Sequence, residues 1–127
     1  MGDRGNIVVK QSRPEDSYIY LYTHWNGSEI AETLQNALKR GKDRWDDEQY
    51  LTRIIFSEMV KDSIMDTDGF GISTYQGDNE HDFLVVDSNT QTVSRVREGD
   101  PGAKPKETWS FEKFVDLKVA KVFGYED

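Results

Sequence analysis

The stretch from Tyr18 to Phe56 constrains the fold more than any other. Tyr18-Ile19-Tyr20-Leu21-Tyr22-Thr23 alternates with period two, setting three tyrosines on one side and Ile19, Leu21 and Thr23 on the other, the pattern of a β-strand. After His24-Trp25 the period changes. Ile30, Leu34, Ala37 and Leu38 recur at helical spacing, as do Leu51, Ile54, Ile55, Met59 and Val60, with Tyr50 and Phe56 at the margins. Asn26 or Ser28 is a candidate cap for the first helix, with Glu29 closing a box after Asn26. Lys39, Arg40 and Lys42 suit its negative end, and Gly41 its exit. Asp46 or Asp47 starts the second helix. A strand followed by two helices joined by about five residues predicts a crossed or antiparallel helix pair lying on a sheet.

The remaining elements are shorter. Asn6 to Gln11 is a β-branched run, separated from Tyr18 by Ser12-Arg13-Pro14-Glu15-Asp16-Ser17, and the two runs predict an antiparallel hairpin. After the turn Asp66-Thr67-Asp68-Gly69, three further strands are expected at Phe70–Tyr75, Asp82–Asp87 and Gln91–Val96, read as one meander over 70–97. Residues 98–107, with two prolines and two glycines, read as an exposed linker. Ser110 caps a last helix carrying Phe111, Phe114 and Val115 and continuing to Val119 and Val122, and Gly124 to Asp127 read as a frayed tail. The order ββαα-βββ-α predicts a single α+β domain over residues 1–127, with an antiparallel sheet of about five strands, the helix pair on one face and a C-terminal helix.

Composition narrows the function. The chain has no cysteine, so disulfides and thiolate chemistry are excluded and a reducing cytoplasm suits it. Six Phe, six Tyr and three Trp argue against disorder. No apolar run is long enough for a membrane span, and no signal peptide is recognisable. A net charge of −8 repels phosphate backbones, so nucleic-acid binding is not expected.

Two turns concentrate interactive side chains. His24-Trp25 stands before a helix start, where free N–H groups favour an anion; the alternative is that Trp25 plugs the sheet–helix junction. Arg44-Trp45-Asp46-Asp47 stands before the next helix. There the acids suit the helix dipole without a ligand, and Trp45 is expected to anchor the turn. The ligand-binding candidates are thus His24, Trp25, Arg44, Trp45 and Arg53, grouped around a small anion or a protein partner. A weaker enzymatic alternative is a hydrolase using His24 with Asp46 or Asp47, with or without a divalent metal. A purely structural accessory role is the third reading.

Other motifs carry less. Asp66-Thr67-Asp68-Gly69 fails as a calcium loop because its first ligand position falls on Ile64 and its twelfth on Tyr75. Asp78-Asn79-Glu80-His81-Asp82 is read as a solvated hairpin tip, and Gly2-Asp3-Arg4-Gly5 as a solvated terminus from which Arg4 could reach Asp87 or the second helix start. No G-x-S-x-G elbow, Walker A loop or H-E-x-x-H motif is present. The sequence points to no cofactor and no metal site, and leans away from an enzyme.

Met1-Gly2-Asp3-Arg4, Tyr20 to Ser28, Arg44 to Phe56, Gly69 to Ser73 and Trp109 to Glu112 together resemble a family of small uncharacterised bacterial and phage proteins. The likeness spans most of the chain, although Asn26-Gly27 stands where such proteins often carry two glycines. It implies an accessory protein, phage-related and acting in the host cytoplasm as a host-interaction or anti-defence factor, and it implies no particular activity.

Overall fold

The computed structural model describes residues 2–123; the predicted tail Gly124 to Asp127 lies outside them. Six strands form one sheet: β1 (Gly5–Lys10), β2 (Tyr18–Thr23), β3 (Phe70–Ser73), β4 (Phe83–Asp87), β5 (Thr92–Val96) and β6 (Glu107–Ser110). The helices are α1 (Ile30–Arg40), α2 (Glu48–Val60), α3 (Phe111–Phe114) and α4 (Val119–Val122). The α+β class holds.

The expected antiparallel sheet of about five strands is corrected to a mixed sheet of six, in the order β3-β2-β1-β4-β5-β6. The hairpin β1–β2 forms, pairing Gly5 with Thr23 through Lys10 with Tyr18. On its other side β1 runs parallel to β4, with Ile7 opposite Leu84 and Val9 opposite Val86. Paired on both sides and covered on both faces, β1 is buried from Gly5 to Val9. A continuous apolar run is what such a strand requires.

The 70–97 meander is also corrected. β3 pairs with β2, Thr23 opposite Phe70 and Tyr20 opposite Ser73, at the far edge of the sheet. Residues 74–82 therefore cross over β2 and β1 to reach β4, and only β4–β5 is a hairpin. The predicted linker 98–107 is shortened, because Glu107 already begins β6, opposite Arg95. The predicted single C-terminal helix is two short ones. Ser110 does cap the first, its Oγ accepting from the Lys113 N–H at 3.1 Å.

Sheet alternation sorts the core. Ile7, Val9, Leu21, Leu84, Val86, Val93 and Trp109 face α1 and α2 and join Leu34, Leu38, Leu51, Ile55, Phe111 and Phe114 in the main cluster. The opposite face carries a smaller cluster of Val8, Tyr20, Phe83, Val85 and Val96, covered by Tyr18 and by Ala103 of the 97–106 loop. Asp47 caps α2, accepting from the Tyr50 N–H at 3.2 Å. Gly41 ends α1 by donating to Ala37 O at 2.8 Å, and a Cβ there would press on Ile54. The helix pair is laced by Arg40, which bonds Ile54 O, Ser57 and Glu58.

Buried Gln35 ties α1 to the C-terminal segment, donating to Phe114 O at 3.0 Å and Leu117 O at 2.9 Å. Gln35→Leu leaves both carbonyls without this donor and is expected to cost about 1–3 kcal/mol in urea unfolding. Ile7→Ala, at the centre of the sheet, is expected to cost about 2–5 kcal/mol. Ile72→Ala, on the open edge, is expected to stay within about 0.5 kcal/mol. Equal costs at Ile7 and Ile72 would contradict the strand order.

Candidate functional site

The two turns singled out in the sequence lie at opposite ends of α1, an 11-residue helix of about 16 Å. No contact joins them. At the first turn His24 is half-buried: its Nδ1 shares a 2.8 Å hydrogen bond with the Tyr22 hydroxyl, and its backbone N–H donates to Gly69 O at 2.9 Å. Trp25 crosses His24 edge-on at 5.2 Å and lies against Gly69, where a Cβ would come within 2.6 Å of the indole. Even so, Trp25 is 50% exposed. The expected caps, Asn26 and Ser28, make no capping bond in this structure; Thr23 Oγ1 accepts from the Asn26 N–H instead, at 3.2 Å.

At the second turn Trp45 anchors the joint as expected. Its Nε1 donates to Leu38 O at 2.9 Å and its ring meets Phe111 edge-on at 5.4 Å. Arg44 lies over the Tyr50 ring at 4.7 Å and reaches Asp47 at 3.8 Å. Asp46 is exposed. Arg53 stands apart, on α2. The five proposed ligand-binding residues therefore do not line one pocket, and His24 meets neither Asp46 nor Asp47. Among the described residues no group of three or more His, Asp or Glu side chains could hold a metal ion.

A cluster that the sequence reading missed joins residues 3, 28 and 81. The Asp3 carboxylate accepts from His81 Nε2 at 2.6 Å on one oxygen. On the other it accepts from the Ser28 hydroxyl at 2.6 Å and the Ser28 N–H at 3.0 Å. The carboxylate separates the hydroxyl from the imidazole, so His81 does not reach Ser28 and the order of a Ser-His-Asp triad is absent. Next to it, Glu80 accepts from the Arg4 N–H at 2.9 Å and from Arg4 Nε at 3.0 Å, and Asp78 lies 3.5 Å from the guanidinium. Gly27 fits beneath, its N–H donating to Asp3 O at 2.7 Å, and a Cβ there would strike His81. The solvated terminus and the solvated tip are thus corrected: residues 2–4 and 78–81 clamp each other, and Arg4 does not go to Asp87 or to α2. Only adjacency in space reveals this, since the three participants are spread over 78 positions.

Six large apolar side chains are exposed among the described residues: Tyr50, under Arg44 at the second turn; Trp25, against Gly69; and four on β3 or the segments flanking it, Ile64 at 71%, Met65 at 87%, Ile72 at 57% and Tyr75 at 71%. Scattered exposed apolar residues are ordinary, but four on or flanking one edge strand draw attention to that edge. β3 is an edge strand, and residues 69–77, Gly-Phe-Gly-Ile-Ser-Thr-Tyr-Gln-Gly, contain no charge. The opposite edge, β6, begins at Glu107 just after Lys104 and Lys106, in the way edges are ordinarily guarded. The bond from His24 N to Gly69 O fixes the alternation along β2–β3. Gly71 and Ser73 turn their amide groups to β2, and Phe70 and Ile72 turn theirs outward.

A cavity lies on each side of this edge. On the helix side, a cavity of about 450 Å³ is walled by Phe56, Val60, Ile64 and Phe70, with Arg53, Asp66 and Asp68 at its rim. On the other side, a cavity of about 240 Å³ is formed by Asn6, Tyr22, Gly71, Ser73, Tyr75 and Asp78. Asn6 is fully buried there. Its Nδ2 donates to Asp78 O and Asn79 Oδ1, both at 3.1 Å, while its Oδ1 has no partner. Of the sequence candidates, Trp25, Arg53 and His24 border this region, His24 through its bonds to Gly69 and Tyr22; Arg44 and Trp45 do not.

No family model, curated protein or solved structure matches this chain. No described helix is long and apolar enough to cross a membrane.

Burial raises the Asp3 carboxyl, but the bonds from Ser28 and His81 outweigh it and hold the group below the ordinary carboxylate value. Both Arg4 bonds do the same for Glu80. A carboxyl depressed in the folded state contributes stability above its unfolded value and loses that contribution as pH falls through the folded one. The clamp is therefore expected to be intact at neutral pH and to open below about pH 4. The Asp3 carboxyl carbon resonance reports it: its titration midpoint should fall below the ordinary carboxylate range. Midpoints at or above that range in wild type would sink this account of Asp3.

Proposed function

We propose that this protein works by binding a protein partner at the β3 edge. One observation carries the reading: an uncharged edge strand with free amide groups, bordered by five exposed apolar side chains. Folded chains ordinarily guard such edges, so an unguarded one on a protein of net charge −8 fits a surface kept open for a partner. The resemblance to bacterial and phage proteins supports an accessory, host-interaction role for that partner. The small-anion reading loses support because His24, Arg44 and Arg53 do not converge. The hydrolase reading loses it because His24 is separated from Asp46 and Asp47.

The test replaces two exposed side chains, Met65→Asp and Ile72→Asp, in one variant. Both sites are open to solvent, so the variant is expected to keep its circular dichroism and to lose no more than about 1–2 kcal/mol of stability. Wild-type protein immobilised in host lysate should retain a defined set of proteins that the folded variant does not. Identical sets on both would rule out the β3 surface.

A further inference from the structure

Resting on that reading, we infer that the partner presents an extended segment of alternating apolar and basic residues, which adds to the sheet as a seventh strand beside β3. The outward amide groups of Phe70 and Ile72 supply the backbone hydrogen bonds. Successive side chains of an added strand point to opposite faces. Here each face offers its own cavity, and the two differ in chemistry. In strand addition the main chain contributes affinity and such alternate pockets contribute specificity.

The cavity on the helix side takes the apolar residue. Phe56, Val60, Ile64 and Phe70 give it apolar walls, and its volume of about 450 Å³ accommodates a Leu or Phe side chain. Its rim acids, Asp66 and Asp68, have no ion pair among the described residues. The cavity on the other face takes the basic residue. Asp78 stands beside it with a largely exposed carboxylate, held only at 3.5 Å by Arg4. The Tyr22 hydroxyl is already engaged by His24. A Lys or Arg side chain brings a charge opposite to that of Asp78. A second copy of this chain fits less well, because its own uncharged 69–77 segment offers no basic side chain to meet Asp78.

The test uses wild-type protein and capped heptapeptides, followed by amide NMR. The parent peptide alternates Leu and Lys; a second peptide replaces Lys by Glu. Two further peptides are N-methylated, one on every Leu nitrogen and one on every Lys nitrogen. In an added strand, nitrogens of one parity face β3 and those of the other face solvent. The parent should shift the Phe70 and Ile72 amides and slow their exchange, and the Glu peptide should bind at least about tenfold more weakly. One N-methyl isomer should also lose at least about tenfold in affinity while the other keeps the parent's. The two isomers have the same charge and side chains, so that difference cannot arise from attraction to an acidic surface. Equal binding by both isomers, or no effect at Phe70 and Ile72, overturns strand addition. If that equal binding is lost in the Met65→Asp, Ile72→Asp variant, the surface still binds partners. If it persists there, the docking reading fails as well.

Discussion

The double pairing of β1 governs the structure. Gly5 to Val9 are enclosed by β2 on one side, β4 on the other, the helices above and a roof of loops below. A parallel neighbour cannot be reached by a tight turn. The chain therefore has to cross the sheet between β3 and β4, and residues 74–82 do so on the face opposite α1 and α2. That crossing brings Glu80 and His81 to Arg4 and Asp3, buries Asn6 and leaves β3 alone at the margin. The clamp, the second cavity and the open edge all follow from one parallel contact.

Elements governed by neighbouring residues were legible in the sequence. The β1–β2 hairpin, the apolar faces of α1 and α2, the Asp47 and Ser110 caps and the β4–β5 hairpin all rest on patterns shorter than twenty residues. What was not legible depends on partners far along the chain. Phe70–Ser73 reads equally well beside β4 or beside β2, because alternation specifies faces and not neighbours. β6 was hidden because Glu107-Thr108-Trp109-Ser110 follows a Pro- and Gly-rich loop and spans only four residues. The Ser28 cap is absent because the Ser28 N–H and hydroxyl both bond the carboxylate of Asp3, remote in sequence.

The candidate site shifted for a related reason. Trp, His and Arg draw attention in a sequence because they are chemically versatile. In this fold most of that versatility serves joints: Trp45 seals α1 against α3, Arg44 lies over Tyr50, and His24 bonds Tyr22. Surface meaning instead falls on Ile64, Met65, Ile72 and Tyr75, which in the sequence resemble ordinary core residues. Only placement at an edge separates the two cases. Trp25, Arg53 and His24 were flagged from the sequence and are found beside β3.

The parallel contact also sets an order of events during synthesis. β1 leaves the ribosome before the other five strands of its sheet, yet Ile7 must wait for Leu84, 77 positions later, before its second side is covered. Until then the nascent chain holds a Val- and Ile-rich strand closed only by its hairpin partner, and non-local closures of this length are slow. The growing chain thus carries an unfinished sheet margin until β4 has been made, the kind of surface that chaperones occupy. In the finished protein that exposure has moved from β1 to β3, where the short Phe-Gly-Ile-Ser strand leaves a much smaller margin open.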